Sequence, residues 1–232
     1  MRIGGAWAPA QGALALRALL APAQADLFGG AVTLSLFPDR VEPTPGEDVA
    51  YTPPSRAAAI VRSLLPDLGA NPLVCDPHAG GGAFLRAFRD AGLSYRAREI
   101  DPAAVRLLHA QDLDCETGDF LRMVRPLCDV SLIGNPPFSL AVEHLLYALS
   151  WRPRMIAWIL PAGWGSRLGH PAAVFETPGY HCPVICPMEG RDAYGGPGRD
   201  AKGSAQTDNA LFVWAREDAR TPRFRPRRIP LK

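Results

Sequence analysis

Several function classes are excluded by what this chain lacks. Its 232 residues contain no run of about 18 apolar residues that could cross a bilayer, and no membrane role is expected. The five cysteines, at 75, 115, 128, 182 and 186, form no C-x-x-C pair, which argues against a disulfide framework and a four-cysteine zinc site. Cys182 and Cys186 with His170 and His181 have poor zinc spacing, so no metal is expected. Neither a GK[S/T] phosphate loop nor a GxGxxG fingerprint occurs. An excess of one charge is missing too. Lys and Arg number 25 against 23 Asp and Glu, a net +2, so attraction to a polyanion has to come from local patches. Lysine is scarce: 23 of the 25 cations are arginine, a bias that suits planar phosphate contacts but also follows from a GC-rich genome. Near the start, Ala23-Gln24-Ala25 imitates a signal-peptidase site, but Arg17 interrupts the short apolar stretch before it. A reducing, cytoplasmic setting is expected.

What is present falls into three parts. Residues 1–50 are rich in Ala, Gly and Pro, with an Ala/Leu-rich helix or loose arm at 10–22 and one strand-like run at Thr33–Phe37. Residues 51–232 read as one domain. Up to about 165, short apolar runs alternate with amphipathic helices, the pattern of a parallel sheet covered on both faces. Ser55 is placed to cap a helix with Ala57, Ile60, Val61, Leu64 and Leu65 on one face. Strands are expected at Leu73–Cys75, Tyr95–Ile100, near Gly118–Phe120, at Val130–Ile133 and at Met155–Leu160. Two more, around Val184-Ile185 and Ala210–Trp214, flank a long loop at 187–208, and loops of that length are more often functional or disordered than inert. The expected architecture is a Rossmann-like, doubly wound, mostly parallel seven-stranded sheet.

The first strand runs into Asp76-Pro77-His78-Ala79-Gly80-Gly81-Gly82. A glycine turn there lets bare backbone approach a ligand at the carboxyl end of the sheet. Its leading acid would repel a pyrophosphate but can receive an ammonium group. Glu99, 17 residues after Gly82, ends the next strand, where a carboxylate can accept both hydroxyls of a ribose. Asp119 ends the third and can accept from an adenine amine. Each strand-end acid alone more often caps the next helix. Together, ammonium, ribose and adenine describe S-adenosylmethionine.

Asn135-Pro136-Pro137-Phe138 follows the fourth strand, which neighbours the first in a doubly wound sheet. Two prolines stiffen the turn and leave carbonyls without a local donor. The Asn135 side-chain oxygen and the Pro136 carbonyl can both accept from one planar amine, and Phe138 can stack on its ring. In isolation an NPPF is more often a rigid turn over a buried Phe; its place after this glycine turn favours the functional reading.

The set Tyr51-Thr52-Pro53-Pro54, Asp76–Gly82, Glu99-Ile100-Asp101, Gly118-Asp119-Phe120 and Asn135–Phe138 resembles class I S-adenosylmethionine-dependent N6-adenine DNA methyltransferases. The order is like the gamma arrangement, and the set is most similar to small solitary phage and prophage enzymes. The resemblance covers about residues 50–165, and more loosely Leu160-Pro161 and Asp208–Trp214. It implies the class I methyltransferase fold, with Tyr51, Thr52, Pro53, Asp76, His78, Gly80, Gly82, Glu99, Ile100, Asp119, Phe120 and Asn135 lining the cofactor. Within that set Thr52 would meet the carboxylate, Asp76 and the turn the methionine moiety, Glu99 the ribose, and Asp119 with Phe120 the adenine. His78 carries no individual role, a packed or solvent-facing ring being expected. Asn135, Pro136, Pro137 and Phe138 would hold the target base. Phe138 replaces the more usual tyrosine, which keeps the stacking face and loses a hydroxyl.

DNA is the expected partner. Arg191, Arg199 and Lys202 make the 187–208 loop the candidate for target recognition. The tail at 216–232, with Arg223, Arg225, Arg227 and Arg228 among its seven cations, suits a phosphate backbone, with a solvated tail as the alternative. An NPP corner also serves enzymes that methylate RNA or a protein glutamine, and a non-catalytic DNA-binding module on the same fold is the competitor from another class. No obligate protein partner is evident, and monomer and homodimer stay open.

Overall fold

The computed structural model describes residues 51–166, 174–189, 208–217 and 224–230. The expectations for the 1–50 arm and for Arg191, Arg199, Lys202 and Arg223 lie outside them. Helix α1 spans Pro54–Leu64, and Pro53 is its N-cap with no side-chain cap bond. That corrects the expected cap at Ser55. Proline at the first helical position needs no donor and presets the backbone angle, so the tandem prolines place the cap and the helix start two residues earlier.

Strand β1 (Leu73–Asp76) leads through the glycine turn into α2 (Ala83–Asp90). Strand β2 (Ser94–Glu99) is followed by α3 (Pro102–His109), whose cap Asp101 accepts from the Ala103 amide at 2.8 Å. After the short β3 (Glu116–Thr117) come β4 (Val130–Gly134), α4 (Ala141–Ser150) and β5 (Met155–Pro161). Strands β6 (Val184–Pro187) and β7 (Asn209–Ala215) complete a seven-stranded sheet of order β3-β2-β1-β4-β5-β7-β6. β1 pairs parallel with β2 and with β4, and β4 parallel with β5; β7 runs antiparallel between β5 and β6. The order reverses between β1 and β4, which opens a crevice beyond their carboxyl ends.

The central strands are buried on both faces, as crossover helices require. On one face Val74, Ile133, Ile159, Leu211 and Val213 pack with α1 and α2; on the other Cys75, Leu132, Trp158, Leu160 and Phe212 pack with α4. No helix among the described residues is long and apolar enough to cross a membrane.

The C-terminal segment is docked along α1. Phe224 and Ile229 are buried in the first cluster, and Ile229 bridges to Met188 beside β6. The fully buried Arg56 of α1 donates to the carbonyls of Pro230 and Glu189. Arg227 donates to the Ser63 carbonyl at 2.6 Å and to Asp67 Oδ2 at 2.7 Å, and lies over the Phe224 ring. The guanidinium thus holds the tail to the far end of α1. Arg225 is exposed, and Arg228, also exposed, sits 3.4 Å from Glu189.

Candidate active site

The glycine turn is shaped by what its glycines touch. Gly80 has φ +50° and lies against the Tyr51 ring, 3.4 Å from where a β-carbon would sit, so the turn meets the segment leading into α1. Thr52 and Pro53, next along that segment, are buried. Gly82, expected to line a cofactor, is buried for another reason. With φ +76°, a β-carbon there would fall 2.5 Å from Leu108 and 3.0 Å from Leu113, so its missing side chain admits α3 and the loop after it.

Asp76 closes β1 with 1% exposure. Its Oδ1 accepts from the His78 amide at 3.1 Å, whereas Oδ2 is buried without a partner. Burial pushes its carboxyl up to about 8; the His78 amide pulls the other way and the charge of Glu99 adds to the rise. An acid so placed is held protonated until a cation arrives. Across from it a β-carbon on Gly134 would fall 2.6 Å from Asp76 Oδ1, which makes the last residue of β4 part of the floor under the carboxylate.

Glu99 stands at the carboxyl end of β2. Its Oε2 accepts from the Gly80 amide at 2.7 Å and its Oε1 from the Asp101 amide at 2.9 Å. Each oxygen keeps lone-pair capacity for a hydroxyl. Ile100 beside it is half-buried. Asp119 is 9% exposed, and its Oδ1 accepts from the Leu121 amide at 3.1 Å, capping a short 3-10 turn. Phe120, expected against the adenine, is 2% exposed and meets His78, His144, Tyr147 and Trp151 edge-on. Its ring belongs to the core beneath the turn.

His78 is packed, with a neighbour that sequence reasoning did not find. His144, on α4 and 3% exposed, places Nδ1 2.8 Å from His78 Nε2. The rings are nearly parallel, 8° apart, and that nitrogen separation sets them side by side and hydrogen-bonded. Burial, and then the neighbouring imidazole, hold His78 well below the usual histidine range. The pair ties the glycine turn to the helix that follows the NPPF corner. No spacing in the sequence links positions 78 and 144; a histidine on a buried helix stripe was the only signal.

At the corner Pro136 is buried, while Asn135, Pro137 and Phe138 are half-buried, Phe138 against the second cluster. The Pro137 carbonyl accepts from the Leu140 amide at 3.1 Å, which leaves the Pro136 carbonyl as the corner's candidate acceptor. His181, read beside the cysteines in the sequence, is bonded to Glu217 at 2.9 Å, and Cys186 is buried in the core.

These residues fit S-adenosylmethionine. The unpaired, buried Asp76 Oδ2 suits an ammonium group, and the spare capacity of Glu99 suits a ribose.

No family model matches the sequence, and no curated protein matches it. In three dimensions the chain is similar to a protein of Pyrococcus horikoshii assigned as an RNA methyltransferase: TM-score 0.55, 18% identity, 81% of this chain and 97% of that one. It is also similar to the 23S rRNA methyltransferase ErmE, with TM-score 0.52, 16% identity and 73% of this chain against 69% of that one. A modification subunit assigned to a type I restriction enzyme of Vibrio vulnificus gives TM-score 0.50 and 17% identity over 79% of this chain, which spans 46% of that subunit. With the strand order above, these likenesses give the chain the Rossmann-like class I methyltransferase fold.

Proposed function

We propose that the protein transfers a methyl group from S-adenosylmethionine to the exocyclic N6 amine of adenine in DNA. The observation that carries this reading is the contact of β4 with β1: Gly134, one residue before Asn135, abuts the Asp76 carboxylate. Donor and acceptor elements therefore share one floor. S-adenosylmethionine, when bound, supplies a methyl carbon made electrophilic by its sulfonium. Asp76 receives the ammonium group, Glu99 the ribose hydroxyls, and Thr52 the carboxylate.

The chain's own work at the acceptor is to hold an amine. Its lone pair is delocalised into the ring, so Asn135 Oδ1 and the Pro136 carbonyl accept its two hydrogens and draw it toward a tetrahedral shape. They also stabilise positive charge as it develops on nitrogen, until one of its two protons passes to solvent. The target base is first turned out of its stack, at a cost of a few kcal/mol that stacking on Phe138 offsets in part. No cysteine nucleophile takes part. Cys75 is fully buried on β1 and burial raises its thiol far above the usual range. Arg225 and Arg228 on the exposed side of the tail, with Arg191, Arg199, Lys202 and Arg223, are the proposed nucleic-acid contacts.

The TPP element at Thr52-Pro53-Pro54 and the basic tail favour DNA. RNA is the second reading, because two similar structures are an rRNA methyltransferase and a protein assigned to RNA methylation. Labelled-methyl transfer offered DNA, RNA and protein in parallel, followed by nucleoside analysis, tests both. N6-methyladenine in DNA is expected; label only in RNA or in glutamine overturns the proposal. Asn135→Ala is expected to abolish transfer while cofactor binding survives, and near-normal turnover in that variant would defeat the role of the corner.

A further inference from the structure

Buried polar atoms without a partner gather at one end of the sheet. They include Asp76 Oδ2, His78 Nδ1, Trp158 Nε1 and both amide atoms of Asn209. Asp76 and His78 belong to the glycine turn, and Trp158 meets His78 edge-on. Asn209 stands apart from that group. It is 8% exposed, and neither its Oδ1 nor its Nδ2 is bonded. A buried primary amide that makes no hydrogen bond is costly to keep, and such groups call for a partner that completes them.

The topology says where that partner would come from. Because β7 is antiparallel, it begins where β5 ends: Asn209 pairs with Pro161, and the Ala162 amide donates to the Asp208 carbonyl at 2.9 Å. Asn209 is thus on the carboxyl rim, two strands from the corner that leaves β4, or about 10 Å at the usual strand spacing. Side chains alternate along a strand. Asn209 therefore shares the face of Leu211 and Val213, which is also the face of Val74 and Ile133, the latter lying two residues before Asn135.

We propose that Asn209 is an acceptor-recognition residue, its side-chain Nδ2 donating to the ring nitrogen beside the exocyclic amine of the base held at Asn135-Pro136. A side-chain amide is the group that proteins use to read adenine edges, since donor and acceptor lie in one plane. This inference rests on the base-methylation reading above. It adds that the pocket selects an amine flanked by a ring acceptor through a residue remote in sequence from the corner.

The test compares wild type with Asn209→Leu, which keeps the bulk and removes the polarity. The KM for the oligonucleotide is expected to rise at least tenfold, with the calorimetric Kd for S-adenosylmethionine within twofold of wild type. The melting temperature is expected to hold or rise, because the unbonded amide is gone. Asn209→Asp, which keeps an acceptor and loses the donor, is expected to show the same KM shift, and Asn209→Ser serves if leucine does not fit. An unchanged KM, or a loss of activity that only tracks a lower melting temperature, overturns the inference while the base-methylation reading stands. A wild-type protein that methylates neither DNA nor RNA overturns that reading, and this one with it.

Discussion

Gly134 and Asp76 meet where β4 ends beside β1, so close that a β-carbon on the glycine would lie 2.6 Å from the carboxylate Oδ1. Asp76 cannot easily give way, because it is buried and held by the His78 amide. Gly134→Ala is therefore expected to push the carboxylate or the corner aside, at about 1–3 kcal/mol of stability. Cofactor affinity should fall at least tenfold in calorimetry. A variant that binds S-adenosylmethionine as wild type does would show that the carboxylate is not the ammonium site.

The raised pKa of Asp76 sets a pH dependence whose sign can be worked out. Its folded value, about 8, lies above the ordinary carboxylate value of 3.8. Between those limits the folded protein keeps a proton that the unfolded chain has lost, so stability is full below about 4 and declines as pH rises toward 8. Binding of a cation needs the ionised form, so cofactor affinity moves the other way. It is expected to rise about tenfold from pH 6 to 7 and to level off above 8. Asp76→Asn should flatten both profiles, melt higher than wild type at pH 9 and bind the cofactor weakly. Thermal melts and calorimetry from pH 5 to 9 check this, and a flat wild-type affinity would refute it.

His78 and His144 should behave as one unit. Removing His144 leaves His78 Nε2 buried without its partner, so His144→Leu is expected to cost about 1–3 kcal/mol in urea unfolding. Replacing both rings should cost less than the sum of the single changes, by about 0.5–3 kcal/mol. Because the folded protein holds His78 below the usual histidine range, the stability linked to it is full above pH 6.5 and is lost as the pH falls through the lower folded value. Strict additivity would deny the coupling.

The parts of this architecture that depend on local pattern were legible in the sequence. The runs around Leu73, Val130 and Met155 are apolar but for the buried Ser131, because both sheet faces are covered, and each became a strand. The strand order placed the NPPF corner beside the glycine turn as the alternating pattern implies. What was not legible depends on tertiary neighbours. The approach of Leu108, on the next helix, to Gly82 has no local signal. Nor do the four rings that enclose Phe120. Arg227 looked like one more tail cation, because nothing near it in sequence announces Ser63 and Asp67, more than 150 residues away. The unbonded amide of Asn209 exists only once β7 lies beside β5.

The tail gives the last expectation. Arg227 bonds a helix-end carbonyl and a carboxylate and covers the Phe224 ring, with its side chain 31% exposed and that of Asp67 16% exposed. Arg225, two residues earlier, is exposed. Arg227→Ala is expected to destabilise the fold by about 1–2 kcal/mol, an amount that salt changes little, because the pair is partly shielded and the carbonyl bond is not an ion pair. Arg225→Ala should leave stability within about 0.5 kcal/mol, but should flatten the salt dependence of DNA binding by about one unit of slope if that side chain meets a phosphate. Urea unfolding at low and high salt, run beside DNA titrations of both variants, separates the two roles. If Arg227→Ala unfolds as wild type does and instead loses salt-dependent DNA binding, the tail is a phosphate arm and its contacts with α1 are incidental.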